Sequence, residues 1–498
     1  MATRSLLPDL AVELIARLTG LPALWLVGGA VRDAILGRPV VDLDFAVDGD
    51  ARRVARLAAD CLGGAYYELD DERDTGRVLL PSAGGPRTLD FARLRGGGLE
   101  ADLRGRDFTI NAMAVALDAP ERVLDPTGGL QDLRDGVLRA AGPTAIEDDP
   151  LRALRAVRLA ASLELRIEPA TLGHVRSARD QLSAVSSERT RDEWMRMLQA
   201  PRPGRLLRLL DHLGLLTTVL PELEPLRGME QPAPHAFRGL DHTLSVVDRL
   251  GDLLWALEPL PTEDKVSDLT LGEACLRLGR FRAAIDGYLR DEVSSGHSRR
   301  QLLFMAAALH DVGKPSAGGL SEDARLRFLG HEEQGAGLAA VCARRLRLSA
   351  DETDFVARVV LHHMRPETLQ AAAAVTPRAA YRFFRDSGTA AIGIVLLSLA
   401  DLLGKYASPP PQAEWAGRVG VARSLLEAAF EQEDRIVNPP RLLDGDDVMH
   451  ALGLPPGPAI GELLEGLREA QAGGAVTTKE EALAFLRARI NGSADADP

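Results

Sequence analysis

Two carboxylates one residue apart, Asp42 and Asp44, stand downstream of a glycine pair in Leu26-Val27-Gly28-Gly29-Ala30-Val31-Arg32-Asp33 and Val40-Val41-Asp42-Leu43-Asp44-Phe45-Ala46-Val47. On a strand, residues two apart point to one face, where both carboxylates can share hard, oxygen-seeking cations such as Mg²⁺. Gly28 and Gly29 lack Cβ and let backbone N–H groups approach phosphates closely. Such a set suits nucleotidyl transfer, in which one cation lowers the pKa of an attacking hydroxyl and another neutralises a triphosphate and its leaving pyrophosphate. A second set is built from histidine. The chain has 10 histidines, and His242, His310-Asp311, His331 and His362-His363 fall in one block with Asp401 following. Neutral imidazoles and carboxylates on separate elements suit a borderline transition metal that keeps a water for attack on phosphorus. An isolated Asp-x-Asp is more often a solvated pair, and a lone histidine more often structural, so the weight lies in the grouping.

These side chains need elements that aim them. Residues 24–140 alternate short β-like runs (LWLVGG, DLDFAV, GRVLL, TLDFA, MAVAL, ERVLD) with helical stretches and glycine turns, an α/β pattern. From 145 to 228 the periodicity turns helical, as in LRALRAVRLAASLEL and RTRDEWMRMLQA. Turn formers in RGMEQPAPHAFRGL precede a second, all-helical block, and Val437-Asn438-Pro439-Pro440 opens a short helical tail. The expected fold is an α/β head with a small mixed sheet, followed by all-α neck, histidine-bearing and tail domains in an elongated multidomain chain. The expected boundaries are 1–145, 146–230, 231–430 and 431–498, with the closing GSADADP frayed.

GGxVRD followed by DLDFAV resembles the signature of class II tRNA nucleotidyltransferases and bacterial poly(A) polymerases, within the DNA polymerase β superfamily. The resemblance implies a catalytic role for Asp42, Asp44 and, as third carboxylate, Asp90 in Thr88-Leu89-Asp90-Phe91, with Mg²⁺ at the head. It sets Gly28, Gly29 and Arg32 at the nucleotide. Arg106-Asp107-Phe108-Thr109-Ile110-Asn111-Ala112-Met113 is similar to the family's RRDFTINA, with Gly105 in place of the first arginine, and implies that Arg106, Asp107 and Asn111 grip the ribose and phosphates. Leu124-Asp125-Pro126-Thr127-Gly128-Gly129 resembles a structural turn of the family. In Asp148-Asp149-Pro150-Leu151-Arg152-Ala153-Leu154-Arg155-Ala156-Val157-Arg158 the charged residues recur at helical spacing. Its likeness to the family's EDxxR helix implies that Asp149 and Arg152 read the base edge of CTP and ATP, with Arg155 and Arg158 beside them. Ser187-Glu188-Arg189-Thr190 resembles the next family motif, with Glu188 and Arg189 as braces.

The order H…HD…H…HH…D, with Leu309-His310-Asp311-Val312-Gly313-Lys314-Pro315 at its centre, resembles the HD phosphohydrolase superfamily. It implies a divalent metal site (Mn, Ni, Co, Fe or Mg²⁺) on His242, His310, Asp311 and Asp401, extended by His331, His362 and His363, and a phosphodiesterase or phosphatase activity. Lys314 is either a phosphate contact or an ion-pair partner.

The whole-chain numbers bound these readings. At 498 residues, 46% apolar and 26% charged, the chain is long enough for about three domains of roughly 150 residues each. Three cysteines with no CxxC pair exclude a disulfide framework. No run approaches the roughly 18 uninterrupted apolar residues of a membrane span, and the opening MATRSLLPDLAVELIARL reads as an amphipathic helix, so a cytoplasmic address without membrane association is expected. A net charge of −13 leaves room for a local basic face. The resemblance implies tRNA as partner and CTP and ATP as substrates, with addition of CCA or CC to the tRNA 3′ end. A poly(A) polymerase and a non-catalytic RNA-binding module are the alternatives, and oligomeric state is open. The interval Phe91-Ala92-Arg93-Leu94-Arg95-Gly96-Gly97-Gly98-Leu99-Glu100 is short where the family carries a flexible loop, as in enzymes that add only CC. Arg382-Phe383-Phe384-Arg385 is either an RNA contact or a core aromatic face.

Overall fold

A computed structural model describes residues 7–17, 21–40, 42–81, 87–259, 268–294, 296–320, 326–372 and 374–494. The chain divides into two compact units, Met1–Val185 with His212–Thr218, and Ser186–Asp211 with Val219–Pro498. The expected head and the base-recognition helix fall in the first unit.

The first unit runs α1 (Asp9–Arg17), β1 (Leu24–Val27), α2 (Gly29–Ile35), β2 (Leu43–Val47), α3 (Ala51–Leu62), β3 (Ala65–Asp70), β4 (Thr75–Leu80), β5 (Arg87–Arg93), α4 (Leu99–Arg104), β6 (Ala114–Ala116), β7 (Val123–Leu124), α5 (Gly129–Arg134), α6 (Ala145–Asp148) and α7 (Leu151–Ser162). Its strands form one seven-stranded sheet in the order β3-β4-β5-β2-β1-β6-β7. The sheet is mixed, because β2 and β5 pair in parallel while β1 pairs antiparallel with β2 and β6. One face is the core. Leu43, Phe45 and Val47 of β2 pack with Phe91 of β5 and with Val54, Ala55 and Ala58 of α3, and the Phe45 and Phe91 rings stack at 4.9 Å. Burying aromatic and aliphatic side chains on that side drives the sheet together and leaves the alternate residues for the other face. Asp125 caps α5 by accepting from the N–H of Gly129 and Leu130 (2.8 and 2.9 Å), so the Asp125–Gly129 turn is structural.

The second unit is helical. Helices Gly239–Ala256, Arg299–Leu309, His331–Arg345, Ala350–His362 and Ala391–Lys405 pack around one another. Ser298 and Ser349 start two of them with capping boxes, each satisfying otherwise orphaned N–H groups. Among the described residues one stretch, Pro377–Lys405, is long and apolar enough to cross a membrane; its most apolar 18-residue window is 83% buried in this fold, and the stretch is interrupted by the turn Gly388–Ala390, as a core helix pair is. In helix Pro377–Ser387 the aromatic reading wins, since Tyr381, Phe383 and Phe384 are buried. Its arginines are engaged by the tail helix Pro458–Ala472, Arg385 with Glu465 at 2.9 Å and Arg382 with Glu469. The final segment, expected to fray, begins inside the helix Lys479–Ala494, and residues 495–498 lie outside the described residues.

Candidate functional sites

Alternation along β2 turns Asp44 and Ala46 to the opposite face, where Asp44 is exposed and Ala46 is buried in a second, smaller cluster with Val27, Leu103, Ala112 and Ala114. Register sets Asp44 opposite Asp90 on β5, and Asp90 opposite Arg77 on β4. Asp42 precedes the strand, which begins at Leu43, and is exposed. Asp44 opens to the cleft, yet the walls around it strip much of its water. That burial, with the charges of Asp90 and Asp42 and against the pull of Arg106 and Arg77, raises its pKa to about 6. Crowded carboxylates with only oxygen donors fit Mg²⁺, whose charge would relieve the repulsion. Asp90 is less free than the sequence implies. Arg77 holds both of its oxygens, Nε to Oδ1 at 2.8 Å and Nη2 to Oδ2 at 2.7 Å.

Beside Asp44 lies a cleft of about 410 Å³, within the range of small-ligand sites. Gly28, Gly29, Arg32, Arg106, Asp107, Asn111, Arg152, Arg155 and Arg158 all line it, as expected. Gly28 has φ +74°, and a Cβ there would meet Arg106 Nη1 at 3.2 Å and Asp44 Oδ2 at 3.4 Å, so glycine keeps this corner open. Behind the surface runs a fixed polar chain. Arg32 grips Asp33 with Nε and Nη2 and donates from Nη1 to Asn111 Oδ1 at 2.7 Å. Asn111 Nδ2 donates to Asp107 Oδ1 at 3.1 Å, and Arg155 Nη1 donates to Asp107 Oδ2 at 3.1 Å. Burial alone would raise the Asp107 pKa, but Arg155 and Asn111 hold it below the usual carboxylate value. On α7 Leu151, Leu154 and Val157 are buried, which leaves Arg152, Arg155 and Arg158 for the cleft side. Arg152 donates to the carbonyls of Ala145, Arg106 and Gly105 (2.9, 3.2 and 3.2 Å). Asp149 precedes α7, outside the lining of the cleft, and its Oδ1 accepts from Leu151 N at 3.3 Å. Sequence reasoning missed Asp102 and Arg95, which also line the cleft, and Arg77. The available signal for Asp102 was its i, i+4 spacing to Arg106.

The second site gathers ligands from five helices. His242 comes from Gly239–Ala256, His310 and Asp311 from the end of Arg299–Leu309, His331 opens its helix, His363 closes Ala350–His362, and Asp401 lies in Ala391–Lys405. Gly313 makes the convergence possible: a Cβ there would lie 2.1 Å from the His331 carbonyl oxygen. All four imidazoles share one arrangement. Nδ1 of His310, His331 and His363 faces the carbonyls of Ala307, Phe328 and Val360 at 2.7–2.8 Å, and Nδ1 of His242 faces that of Gly404 at 3.3 Å. A carbonyl only accepts, so each Nδ1 carries a proton and leaves Nε2 as the nitrogen whose lone pair a neutral ring offers to a metal.

Those lone pairs point at two neighbouring centres. His242, His310 and Asp401 form one group able to hold a metal, and Asp311, His331 and His363 form the other. Asp311 faces both, with Oδ2 3.4 Å from His242 Nε2 and 3.2 Å from His310 Nε2, and Oδ1 3.7 and 3.9 Å from His331 and His363. Among the described residues His242 Nε2 and His310 Nε2 are buried without a hydrogen-bond partner, Asp311 Oδ2 between them is met by Lys314, and His331 Nε2 faces His363 Nε2 at 3.4 Å. Orphaned donor atoms converging in this way fit divalent cations. Burial, with His310 beside it, lowers His363 to about 3, so that ring is neutral and ligand-ready. Burial would raise Asp311 and Asp401, but His310 and Lys314 hold the first, and Lys405 and His242 the second, well below the usual range.

His362 is the exception to the expected set. It stands outside both groups, beside Arg365 and Asp386, because adjacent helical residues cannot share one direction. Lys314 is an ion-pair partner, its Nζ 2.6 Å from Asp311 Oδ2 and donating to Gln231 Oε1 at 2.8 Å. His235, Gln231 and Lys405 were missed. The His235 ring lies 5.2 Å from that of His242, from a turn segment whose pattern gave no sign of it.

Three family models match successive parts of the chain. A model of the poly(A) polymerase head domain matches residues 24–96 and 86–139, one of a probable RNA- and SrmB-binding site of polymerase A matches 164–226, and one of the HD domain matches 269–403. The A-adding tRNA nucleotidyltransferase of Deinococcus radiodurans is 34% identical over 472 residues, 94% of this chain and 95% of that protein. The CC-adding tRNA nucleotidyltransferase of Thermus thermophilus is 36% identical over 471 residues, 92% of each. The structure of the Thermotoga maritima CCA-adding enzyme complexed with tRNA superimposes with a TM-score of 0.57 at 20% identity, covering 98% of this chain and 99% of that one.

Proposed function

The chain belongs to the tRNA nucleotidyltransferase family, which shares its head domain with poly(A) polymerases, and from that premise we propose that it is a CC-adding enzyme, extending the 3′ end of tRNA with CMP from CTP and releasing pyrophosphate. One observation carries the choice. Strand β5 ends at Arg93 and α4 begins at Leu99, and the short link between them is pinned, Leu94 N to Val47 O at 3.0 Å and Arg95 N to Asp102 Oδ1 at 3.3 Å. A wall held this way keeps one cleft shape, which favours a single nucleotide over a switch from pyrimidine to purine. The relative from Thermus thermophilus is named as CC-adding and that from Deinococcus radiodurans as A-adding, so the choice rests on the link. ATP is then a poor substrate.

In this reading the tRNA 3′ oxygen bonds the α-phosphorus of CTP as the bond to pyrophosphate breaks. Asp42 and Asp44 would hold Mg²⁺, which supplies charge neutralisation on the triphosphate and activation of the 3′ hydroxyl. Asp90 joins them only where Arg77 releases it. Arg106 holds phosphate across from Gly28, Asn111 and Asp107 carry the ribose on the Arg32–Asn111–Asp107–Arg155 chain, and Asp149 and Arg152 read the base. A cytoplasmic address goes with a tRNA substrate. The head (1–145), neck (146–230), HD (231–430) and tail (431–498) serve as functional modules. The test supplies tRNA transcripts ending at the discriminator base, C or CC with CTP, ATP or both, and sequences the products. Growth halting at CC supports the reading; a completed CCA, or A added only to CC ends, overturns the CC choice, and long A tails overturn tRNA specificity.

We read the second site as a metal-dependent phosphohydrolase. His242, His310 and Asp401 would hold one divalent cation and His331, His363 and Asp311 a second, with Asp311 serving both. Such cations (Mn, Ni, Co, Fe or Mg²⁺) supply Lewis-acid polarisation of a phosphoryl oxygen and a water of lowered pKa. The orphaned Nε2 atoms of His242 and His310 support this reading. Opening of a 2′,3′-cyclic nucleotide to its phosphomonoester, or release of phosphate from p-nitrophenyl phosphate, lost in His310→Ala while CTP incorporation stays, is the expected result. No hydrolysis with any of the five metals sinks it.

A further inference from the structure

Arg106 supplies the guanidinium that faces Gly28: a Cβ on that glycine would meet its Nη1 at 3.2 Å, with Asp44 Oδ2 at 3.4 Å. An untethered arginine there would spread over many rotamers and be drawn to the Asp44 carboxylate. Asp102 prevents this. Its Oδ2 accepts from Arg106 Nε at 3.2 Å and Nη2 at 3.0 Å, a side-on grip that leaves Nη1 toward the cleft. Its Oδ1 accepts from the backbone N–H of Arg95 at 3.3 Å, and the side chain is only 9% exposed. Gly96, at φ +66°, lets the link close onto α4, where a Cβ would lie 2.8 Å from the Ala101 Cβ. One carboxylate therefore sets the position of two residues, Arg95 and Arg106, whose cations line the same cleft as Asp44.

We propose that Asp102 is a positioning residue for the nucleoside triphosphate: it orients Arg106 so that Nη1 faces the phosphates across from Gly28, and it fixes Arg95 on the same wall. This rests on the reading that the cleft takes CTP. A purely structural Asp102 would be an i, i+4 partner within and just beyond the six-residue helix Leu99–Arg104.

Asp102→Asn separates the roles, because asparagine keeps the size and the oxygen for Arg95 N–H and removes the charge that orients Arg106. In the full-length protein, the KM for CTP rises about tenfold, kcat changes less than about threefold and Tm holds. In an Arg106→Gln background the same change adds nothing, since Asp102 acts through Arg106. Asp102→Glu, which restores the charge, recovers most of the affinity and serves if the asparagine variant folds poorly. An unchanged KM in Asp102→Asn, or losses that multiply in the double variant, overturns the proposal. If the wild-type protein incorporates no CTP, the reading of the cleft has failed, and calorimetry with tripolyphosphate still decides Asp102: about tenfold weaker binding to Asp102→Asn supports it and equal binding rejects it.

Discussion

The two acidic centres of this molecule solve opposite problems. In the first unit Asp42 and Asp44 are exposed, and at the cleft the walls that bury the Asp44 carboxyl, with neighbouring carboxylates beside it, lift it to about 6. In the second unit His242, His310, Asp311, His331, His363 and Asp401 have side chains at most 8% exposed, and Lys314 and Lys405 lie against the two aspartates. An open site stores repulsion for a cation that arrives with its substrate, whereas a sealed site builds its ligand set into helix packing and balances the charge with resident ammonium groups. Chemistry at the first should be separable from stability, and at the second the two should be coupled.

Asp44→Asn tests the first half with the largest effect. Several kcal/mol of charge stabilisation disappear, so CTP incorporation falls by roughly three orders of magnitude, ~4 kcal/mol, with Tm no lower and phosphohydrolase activity retained. A parallel loss of Tm would mean the open site is structural after all. At the sealed site, Gly313→Ala drives a methyl into the His331 carbonyl, at a cost of about 3 kcal/mol by overpacking, and abolishes metal binding there while CTP incorporation persists. Tight metal binding by that variant would show that the convergence does not depend on Gly313. Adding Mn²⁺ or Ni²⁺ to metal-free protein should raise the unfolding free energy of the second unit by about 2.7 kcal/mol at a hundredfold excess over Kd, reversed by chelation. Equal stabilisation of the first unit by Mg²⁺ alone would erase the contrast. The smallest effect is Asp107→Asn. The folded pKa of Asp107 lies below its ordinary value of 3.8, so its contribution is present above that value and lost as pH falls through the depressed pKa. The variant should lose about 2 kcal/mol at neutral pH, because partly solvated Arg155 loses the charge of Asp107, and show a shallower acid limb in a pH-dependent melt.

The glycine pair, the Asp-x-Asp and the HD dipeptide were legible because each needs a fixed local spacing. Asp44 was readable from alternation along its strand, whereas Asp42 was expected on the same strand and lies just before it. Asp102 was not readable, because what matters about it is the direction of Arg106 and the closure of the link onto α4. His363 and His362 were indistinguishable in sequence, and only packing of helix Ala350–His362 chose His363. Asp90 looked like a free ligand because its clamp, Arg77, lies on another strand and is brought opposite by sheet register. His235 gave no periodic signal at all.

By itself the sequence determined the residue types, the local elements and the two chemistries, because periodicity and short motifs act over a turn or a strand. Only the tertiary structure decided which carboxylate oxygens are free, which histidine joins the metal group, and that Asp311 faces two centres at once. Those properties depend on directions and distances of a few ångströms between segments far apart in the chain, and such distances are fixed by packing that no local pattern encodes.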